Sequence, residues 1–444
     1  MNGLSRLIET LVAAWLIAAS LLVTPGVANA QVQGPQPLSE VTVRPGNLDA
    51  LTKIAVPNTY NLGDSDPRGY ETSIVATIRN CLGIAGYFNV LTPDRYFFDT
   101  SREGITAANT NFQNWFNVGA QYVVKAAFRV ATNQVRVELK LFDVGTQQEV
   151  NIGYEPRTVG LDEVSAEVYR FINLLMKYFT GNEGIFGSRI AYVGRTRGAK
   201  QVYVMNMDGT GVSPVTNNRS VNILPAWGPG GAVMYTSFAN GNPDLVSGSG
   251  GNVISSQPGL NSGGAMRPGG GEIAVTLTRD GNAEIYIINP SGGILRRCTE
   301  NSAEDVSASW SPDGSQIAFV SDRSGGPQIF VMNADCSNQR RVTFRGSYNT
   351  TPDWSPRGDL IAFTGRDGTR QDIFTVEPGT GFVERLTQDQ GDNEEPSWSP
   401  DGNYLVFSSN RGGRRKLYIM PASGFPQVEI PAAGSGYEQP AWQR

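Results

Sequence analysis

The sequence predicts an N-terminal α+β (α/β) domain followed by a six-bladed β-propeller, and three observations carry that reading. Gly and Pro number 52 and 26 in 444 residues, roughly 18% together against about 12% in average usage, so the chain is rich in turns. Five of the seven tryptophans fall at one position of a repeat whose copies are mostly 44 residues apart. Before that repeat, residues 45–182 alternate between strand-like and helix-like spacing of apolar side chains.

Composition also excludes whole classes of function. At 39% hydrophobic and 9% aromatic, with glycine in no three-residue period, the chain is neither disordered nor collagen-like. It contains no histidine, which rules out a Ser-His-Asp or Cys-His relay, a histidine metal site and a histidine pH switch. Its 36 Lys+Arg against 41 Asp+Glu give a net charge of −5, so no nucleic-acid partner and no anionic membrane surface is expected.

Residues 11–23 form the one long apolar run, preceded by Arg6 and followed by Ala28-Asn29-Ala30, a small-x-small signature. Residues 1–30 are therefore read as a secretory signal cut between Ala30 and Gln31. The run of about 13 residues is short of the ~20 that span a bilayer, so a retained anchor is the weaker reading and no membrane insertion is expected after cleavage. Residues 31–44 contain Gln31, Val32, Gly34, Pro35 and Pro37, then Val41-Thr42-Val43. So few anchoring groups make this either a loose terminus or a strand given to a partner.

In residues 45–182, Lys53-Ile54-Ala55-Val56 reads as a strand and Asp66-Pro67 as a helix N-cap with proline at the first helical position. Ile74, Ile78, Leu82 and Ala85 then share one helical face, and Gly86 stops the helix. Residues 121–130 and 135–144 read as two strands across a turn at 131–134. A last helix starts near Asp162, with Val164, Val168, Phe171, Ile172 and Leu175 on one stripe, and ends at Gly181.

Residues 183–444 carry the repeat. Trp310-Ser311-Pro312-Asp313-Gly314, Trp354-Ser355-Pro356-Arg357-Gly358 and Trp398-Ser399-Pro400-Asp401-Gly402 recur every 44 residues; Trp442, the degenerate Met266 copy and Trp227 complete six. Each copy holds alternating strands such as Ile317-Ala318-Phe319-Val320 and Ile329-Phe330-Val331-Met332, separated by Gly-rich loops. With the tryptophan strand this makes four strands per repeat, one WD40-like (PD40) propeller blade. The register wraps, so the strand at Trp442 is expected to complete the first blade beside Arg189-Ile190-Ala191-Tyr192-Val193.

Little in the chain has catalytic spacing. Gly63-Asp64-Ser65-Asp66-Pro67 lacks the last glycine of a nucleophile elbow, and no Gly-rich loop is followed by a phosphate-binding lysine. The Asp-Gly pairs at 208, 313 and 401 are lone acids in tight turns, whereas calcium needs about six to eight oxygens, so neither metal nor cofactor is assigned. Cys81, Cys298 and Cys336 read either as buried thiols or with Cys298 and Cys336 bridged.

The blade motif, together with the junction Phe179-Thr180-Gly181-Asn182-Glu183-Gly184-Ile185-Phe186-Gly187-Ser188-Arg189-Ile190-Ala191-Tyr192-Val193, resembles the TolB family, periplasmic components of the Tol-Pal system. The chain departs from the family pattern in lacking histidine before its last N-domain helix and in carrying Met266 at a tryptophan position. The resemblance implies a non-enzymatic periplasmic scaffold, monomeric on its own, whose propeller binds the lipoprotein Pal and whose N-terminal segment binds TolA of the inner-membrane TolQRA complex. The implied role is outer-membrane integrity and envelope constriction at division.

It also implies that the loops entering the tryptophan strands form the funnel for Pal. That places Asn222, Leu260, Gly263, Asp305 and Val306 in the Pal site, with Tyr348, Asn349, Asn393, Glu394 and Tyr437 from the later repeats. For TolA the expected residues are Gln31, Val32, Val41, Thr42 and Val43. The alternative is an exported propeller that binds or hydrolyses a small molecule or peptide.

Overall fold

The computed structural model describes residues 51–444 apart from 64, 197 and 433–435. The expected cleavage site at Ala30 and Gln31 and the expected TolA residues lie outside the described residues.

The first described strand of the N-terminal domain is β1 (Thr52–Ala55). With β2 (Tyr60–Asn61), β3 (Phe88–Leu91), β4 (Tyr122–Ala131), β5 (Gln134–Asp143), β6 (Gln148–Val150) and β7 (Arg157–Gly160), it forms one sheet ordered β3-β1-β4-β5-β6, in which β2 pairs with β4 and β7 with β5. β1 runs parallel to β3 and β4, while β4 and β5 make an antiparallel hairpin through Thr132 at φ 54°.

Alternation along the strands divides two cores, as a pleated sheet requires. Ile54, Val124 and Phe128 face α1 (Tyr70–Ala85) and α3 (Val164–Thr180), and Ala55 and Val123 face α2 (Phe112–Val118) with its buried Trp115. Gly86 and Gly181, both at positive φ, end α1 and α3 as their sequence predicts.

One expectation about α1 is corrected. The helix begins at Tyr70, after Gly69 at φ 69°, and not at Pro67. Asp66 still satisfies it: its carboxylate accepts from the N–H of Tyr70 (2.7 Å) and of Glu71 (3.0 Å) across the intervening turn. The short helical turns between Pro93 and Asn109, and α2 after them, have no apolar periodicity to announce them. They are held by buried Lys125, whose ammonium donates to Glu103 (2.7 Å), the Gly104 carbonyl (2.9 Å) and Thr110 (2.8 Å).

The propeller consists of six four-stranded antiparallel sheets. The inner strands of blades 2 to 6 are Asn222–Trp227, Asn261–Met266, Asp305–Trp310, Asn349–Trp354 and Asn393–Trp398. The inner strand of blade 1 is Glu438–Trp442, which pairs with Arg189–Thr196 so that Trp442 lies opposite Ile190. Sequence wrap therefore closes the ring and removes two open sheet edges.

Trp310, Trp354, Trp398 and Trp442 are all at most 4% exposed, wedged between blades, while Trp227 is partly covered by Arg189. Their polar groups tie neighbouring blades together. The N–H of Trp354, Trp398 and Trp442 donates to Ser309 (3.0 Å), Asp353 (2.7 Å) and Ser397 (3.0 Å) of the preceding inner strand. The indoles of Trp227, Trp310 and Trp398 donate to the carbonyls of Ala441, Ala265 and Asp353. A disulfide from Cys298 to Cys336 further joins blades 3 and 4, and Cys81 is a buried thiol.

Strand direction gives each blade two ends. The Trp-x-Pro-x-Gly turns lie at the lower end, and the loops entering the inner strands lie at the upper end. The N-terminal domain packs on the lower ends of blades 6 and 1: Tyr404 donates to the Ala85 carbonyl (3.0 Å), Asn80 to the Asp208 carbonyl (2.6 Å) and Tyr169 to the Asp208 carboxylate (2.7 Å). Ile78, Val168 and Ile172 share one core with Ile190, Tyr404 and Trp442.

Deleting residues 437–444 is expected to cost at least ~3 kcal/mol, from the lost indole and the exposed inner edge of Arg189–Thr196. The truncated protein should aggregate on size-exclusion chromatography; a soluble monomer with an unchanged melting temperature would contradict the closed ring.

Candidate interaction face

The upper end of the ring is organised by a polar node repeated between blades. Near the start of the third strand in blades 1 to 5 stands a buried polar residue, Gln201, Asp244, Glu284, Gln328 or Asp372 in turn; blade 6 has the partly exposed Lys416 there. Between blades 4 and 5 the Gln328 side-chain oxygen accepts from Thr343 (2.8 Å) and Asn349 (2.9 Å). Between blades 5 and 6 Asp372 accepts from Thr387 (2.6 Å) and Asn393 (3.0 Å). The same threonines cap a strand N–H, Ile329 to Thr343 and Ile373 to Thr387, each at 2.9 Å. These bonds pair most of the buried polar atoms of the nodes, Asn349 Oδ1 and Glu284 Oε2 being left without a partner, and so fix the loop that leads into the next inner strand.

Below the node, each inner strand carries a β-bulge with one residue in the left-handed region: Leu224, Gly263, Ser307, Thr351, Glu395 and Gln439, at φ between 50° and 66°. Five of the six are not glycine, so the conformation is imposed by the strand rather than by the residue.

The most perturbed group at this level is Glu395. Its carboxylate accepts from the Gln439 N–H at 2.6 Å, with Glu394 and Glu438 nearby and Arg415 paired to Glu394. Burial, with repulsion from Glu394 next, pushes the Glu395 carboxyl up to about 7.

The expected Pal residues fall into two groups. Asn222, Asp305, Asn349 and Asn393 are buried at the head of their inner strands. Asp305 accepts from Asn301 (2.7 Å) and Arg323 (2.8 Å), and Asn222 donates to Asn218 (2.9 Å), so these four hold the loops and present no side-chain surface. Leu260, Gly263, Val306, Tyr348, Glu394 and Tyr437 are partly exposed around the channel mouth. Tyr348 lies under the Arg366 guanidinium, 4.2 Å from the ring centre, and Tyr437 packs edge-on to Tyr192 at 5.0 Å.

Asn261, the blade 3 counterpart of Asn222 and Asn349, is absent from the expected set, although it is buried and donates to the Gln257 carbonyl (2.8 Å). Its signal was available in the repeat register. The third-strand residues Glu284, Gln328 and Asp372 were equally readable, being 44 apart.

Fold and face together define a closed six-bladed propeller that carries an α/β domain on its lower end and leaves a loop-built channel mouth on its upper end. The model described as the TolB beta propeller domain matches residues 176–444, and that of the TolB amino-terminal domain matches residues 39–150. The chain belongs to the TolB family.

Among its relatives, the Tol-Pal system protein TolB of Desulfosudis oleivorans is 36% identical over 254 residues, covering 56% of this chain and 57% of that one. The Protein TolB homolog of Chlorobium luteolum is 34% identical over 245 residues, covering 53% of each. The aligned stretch thus spans a little over half the length of these relatives. The crystal structure of TolB from Acinetobacter baumannii superposes with a TM-score of 0.74 at 26% identity, covering 91% of this chain and 98% of that one.

Glu395 gives a pH prediction. Its folded-state pKa lies above the unfolded value, so the folded state holds the proton more tightly and loses stability as pH rises from about 4.5 to 7. Glu395→Gln removes that loss. Allowing for solvent at this partly exposed group, the gain is about 1 kcal/mol, or roughly 1–2 °C in melting temperature, at pH 8. Calorimetric melts should show it disappearing towards pH 4.5.

Proposed function

We propose that this protein is a non-enzymatic periplasmic scaffold of the Tol-Pal system, binding Pal at the upper end of the propeller and TolA through residues 31–43, in support of outer-membrane integrity and envelope constriction at division. The observation that carries the reading is the division of the ring into two ends. The lower end is occupied by the N-terminal domain through Tyr404, Asn80 and Tyr169. The upper end is built from loops fixed by buried polar nodes, which lowers the entropy lost when a partner settles on it.

In this reading Asn222, Asp305, Asn349 and Asn393 position the loops, and Leu260, Gly263, Val306, Tyr348, Glu394 and Tyr437 meet Pal. Tyr348, held by Arg366, is the best anchor, because a rigid aromatic side chain brings area at low entropic cost. TolA would receive the segment by strand addition, with Val41 and Val43 on one face and Thr42 on the other.

The double substitution of Val306 and Tyr348 to Asp should weaken Pal binding by at least ~2 kcal/mol, beyond thirtyfold, with an unchanged melting temperature. If substitution of Asp313 or Asp401 at the lower end abolishes binding instead, the face is wrongly assigned. Calorimetry should also show that removing residues 31–43 eliminates TolA binding and leaves most Pal affinity; equal TolA affinity with and without the segment would refute that assignment.

A further inference from the structure

Arginine recurs every 44 residues on the outer strands of blades 3, 4 and 5, as Arg297, Arg341 and Arg385. In each, the Nε–H donates to the carbonyl two residues on: Thr299 (2.9 Å), Thr343 and Thr387 (3.0 Å). The backbone thus holds the three guanidinium groups alike. Arg297 and Arg385 lie over the rings opposite them on the third strand, 5.9 Å from the centre of Tyr286 and 5.6 Å from that of Phe374. Both also have carboxylate partners. Arg297 pairs with Glu284 (3.3 Å) and Glu300 (3.4 Å), and Arg385 with Asp372 (2.5 Å).

Blade 4 departs from this pattern at every position that would serve its arginine. Where Glu284 stands in blade 3, blade 4 has Gln328, whose side chain is engaged by Thr343, Asn349 and the Gly346 carbonyl. Where Glu300 stands, blade 4 has Phe344, 58% exposed. The ring opposite Arg341, Phe330, is already covered by Arg323 at 5.1 Å. Arg341 lies over Phe344 instead, 5.2 Å from the ring centre, and among the described residues no carboxylate pairs with it. Burial acts unopposed on its guanidinium and lowers its pKa.

The same bias runs through the loop. Residues 340–348 hold Arg340, Arg341 and Arg345 and no acid, whereas 296–304 hold Glu300 and Glu304, and 384–392 hold Glu384, Asp389 and Asp392. This loop enters the blade 5 inner strand at the upper end and carries Tyr348, so Phe344 and Arg341 continue the face on which Tyr348 stands. A half-buried guanidinium without a counter-charge favours an incoming carboxylate, because part of its desolvation has already occurred on folding. The net charge of −5 disfavours an anionic lipid surface as the source of that charge.

We infer that Arg341 and Phe344 form a docking point for an acidic side chain of the protein partner and an apolar group beside it. The carboxylate takes the place at Arg341 that Glu300 has at Arg297, and the apolar group covers the Phe344 ring. The inference rests on the reading of the upper end as the Pal face.

The experiment titrates the soluble domain of Pal into the whole mature protein as wild type, Arg341→Gln, Phe344→Glu and Phe344→Gln, by calorimetry at several salt concentrations. Position 344 is exposed, so both substitutions there should keep the wild-type melting temperature. Glutamate recreates the blade 3 pair and occupies Arg341 from within; glutamine, which blade 5 has at 388, removes the ring and leaves the cation open. Arg341→Gln and Phe344→Glu should each weaken Pal binding about tenfold and flatten its salt dependence. Phe344→Gln should weaken binding less and keep the wild-type salt dependence. Equal affinity of Phe344→Glu and Phe344→Gln, or of wild type and a folded Arg341→Gln, overturns the inference and leaves the Pal reading standing. A wild type that does not bind Pal overturns the Pal reading and the inference with it. Phosphatidylglycerol vesicles that bind the wild type and not Arg341→Gln would assign Arg341 to a lipid surface and likewise overturn the inference.

Discussion

Blades of a propeller share no hydrogen-bonded ladder, so something other than sheet pairing must set the angle between them. Here that role falls to the tryptophan that ends five of the six inner strands. Its ring fills the wedge between sheets, and in Trp354, Trp398 and Trp442 the backbone N–H reaches Ser309, Asp353 and Ser397 of the preceding inner strand. Each contact combines burial of a large aromatic with a hydrogen bond that would be costly to leave unmade in the interior. The bulge above each tryptophan, the channel it lines and the loops at the upper end all inherit their placement from this clamp. Blade 3, with Met266 in place of tryptophan, lacks the indole donor, and the disulfide between Cys298 and Cys336 spans the next joint, between blades 3 and 4.

Much of this architecture was legible because it depends on local patterns. The 44-residue recurrence of tryptophan with Pro-x-Gly turns fixes blade number and strand order, and the apolar stripe from Val164 to Leu175 fixes α3. The start of α1 was misplaced because Asp66-Pro67 has the composition of an N-cap while Gly69, two residues on, is what lets the chain turn into the helix. The region from Pro93 to Val118 was silent because its order comes from Lys125, a residue on a distant strand.

The candidate face was legible in position but not in role. Asn349 and Tyr348 are neighbours in the same loop, yet one is buried in a node with Gln328 and the other is partly exposed under Arg366. Periodicity marks both equally, since repetition preserves structural residues at least as faithfully as contact residues. Glu395 has its character first from burial, then from Glu394 in its own strand and Glu438 in the inner strand of the next blade. Such convergence is a property of the closed ring and has no signature in a linear window.

The closing strand imposes an order on biosynthesis. Ser188 and Trp442, which meet in the finished molecule, are separated by 254 residues, so five complete blades leave the ribosome before the sheet at Arg189–Thr196 obtains its inner neighbour. Until then Ile190 and the lower ends of blades 6 and 1 lack the indole that α1 and α3 pack against through a shared core. The N-terminal domain, synthesised first, thus finds its full seat last. Long-range pairing of this kind is slow and leaves apolar surface open in the interval.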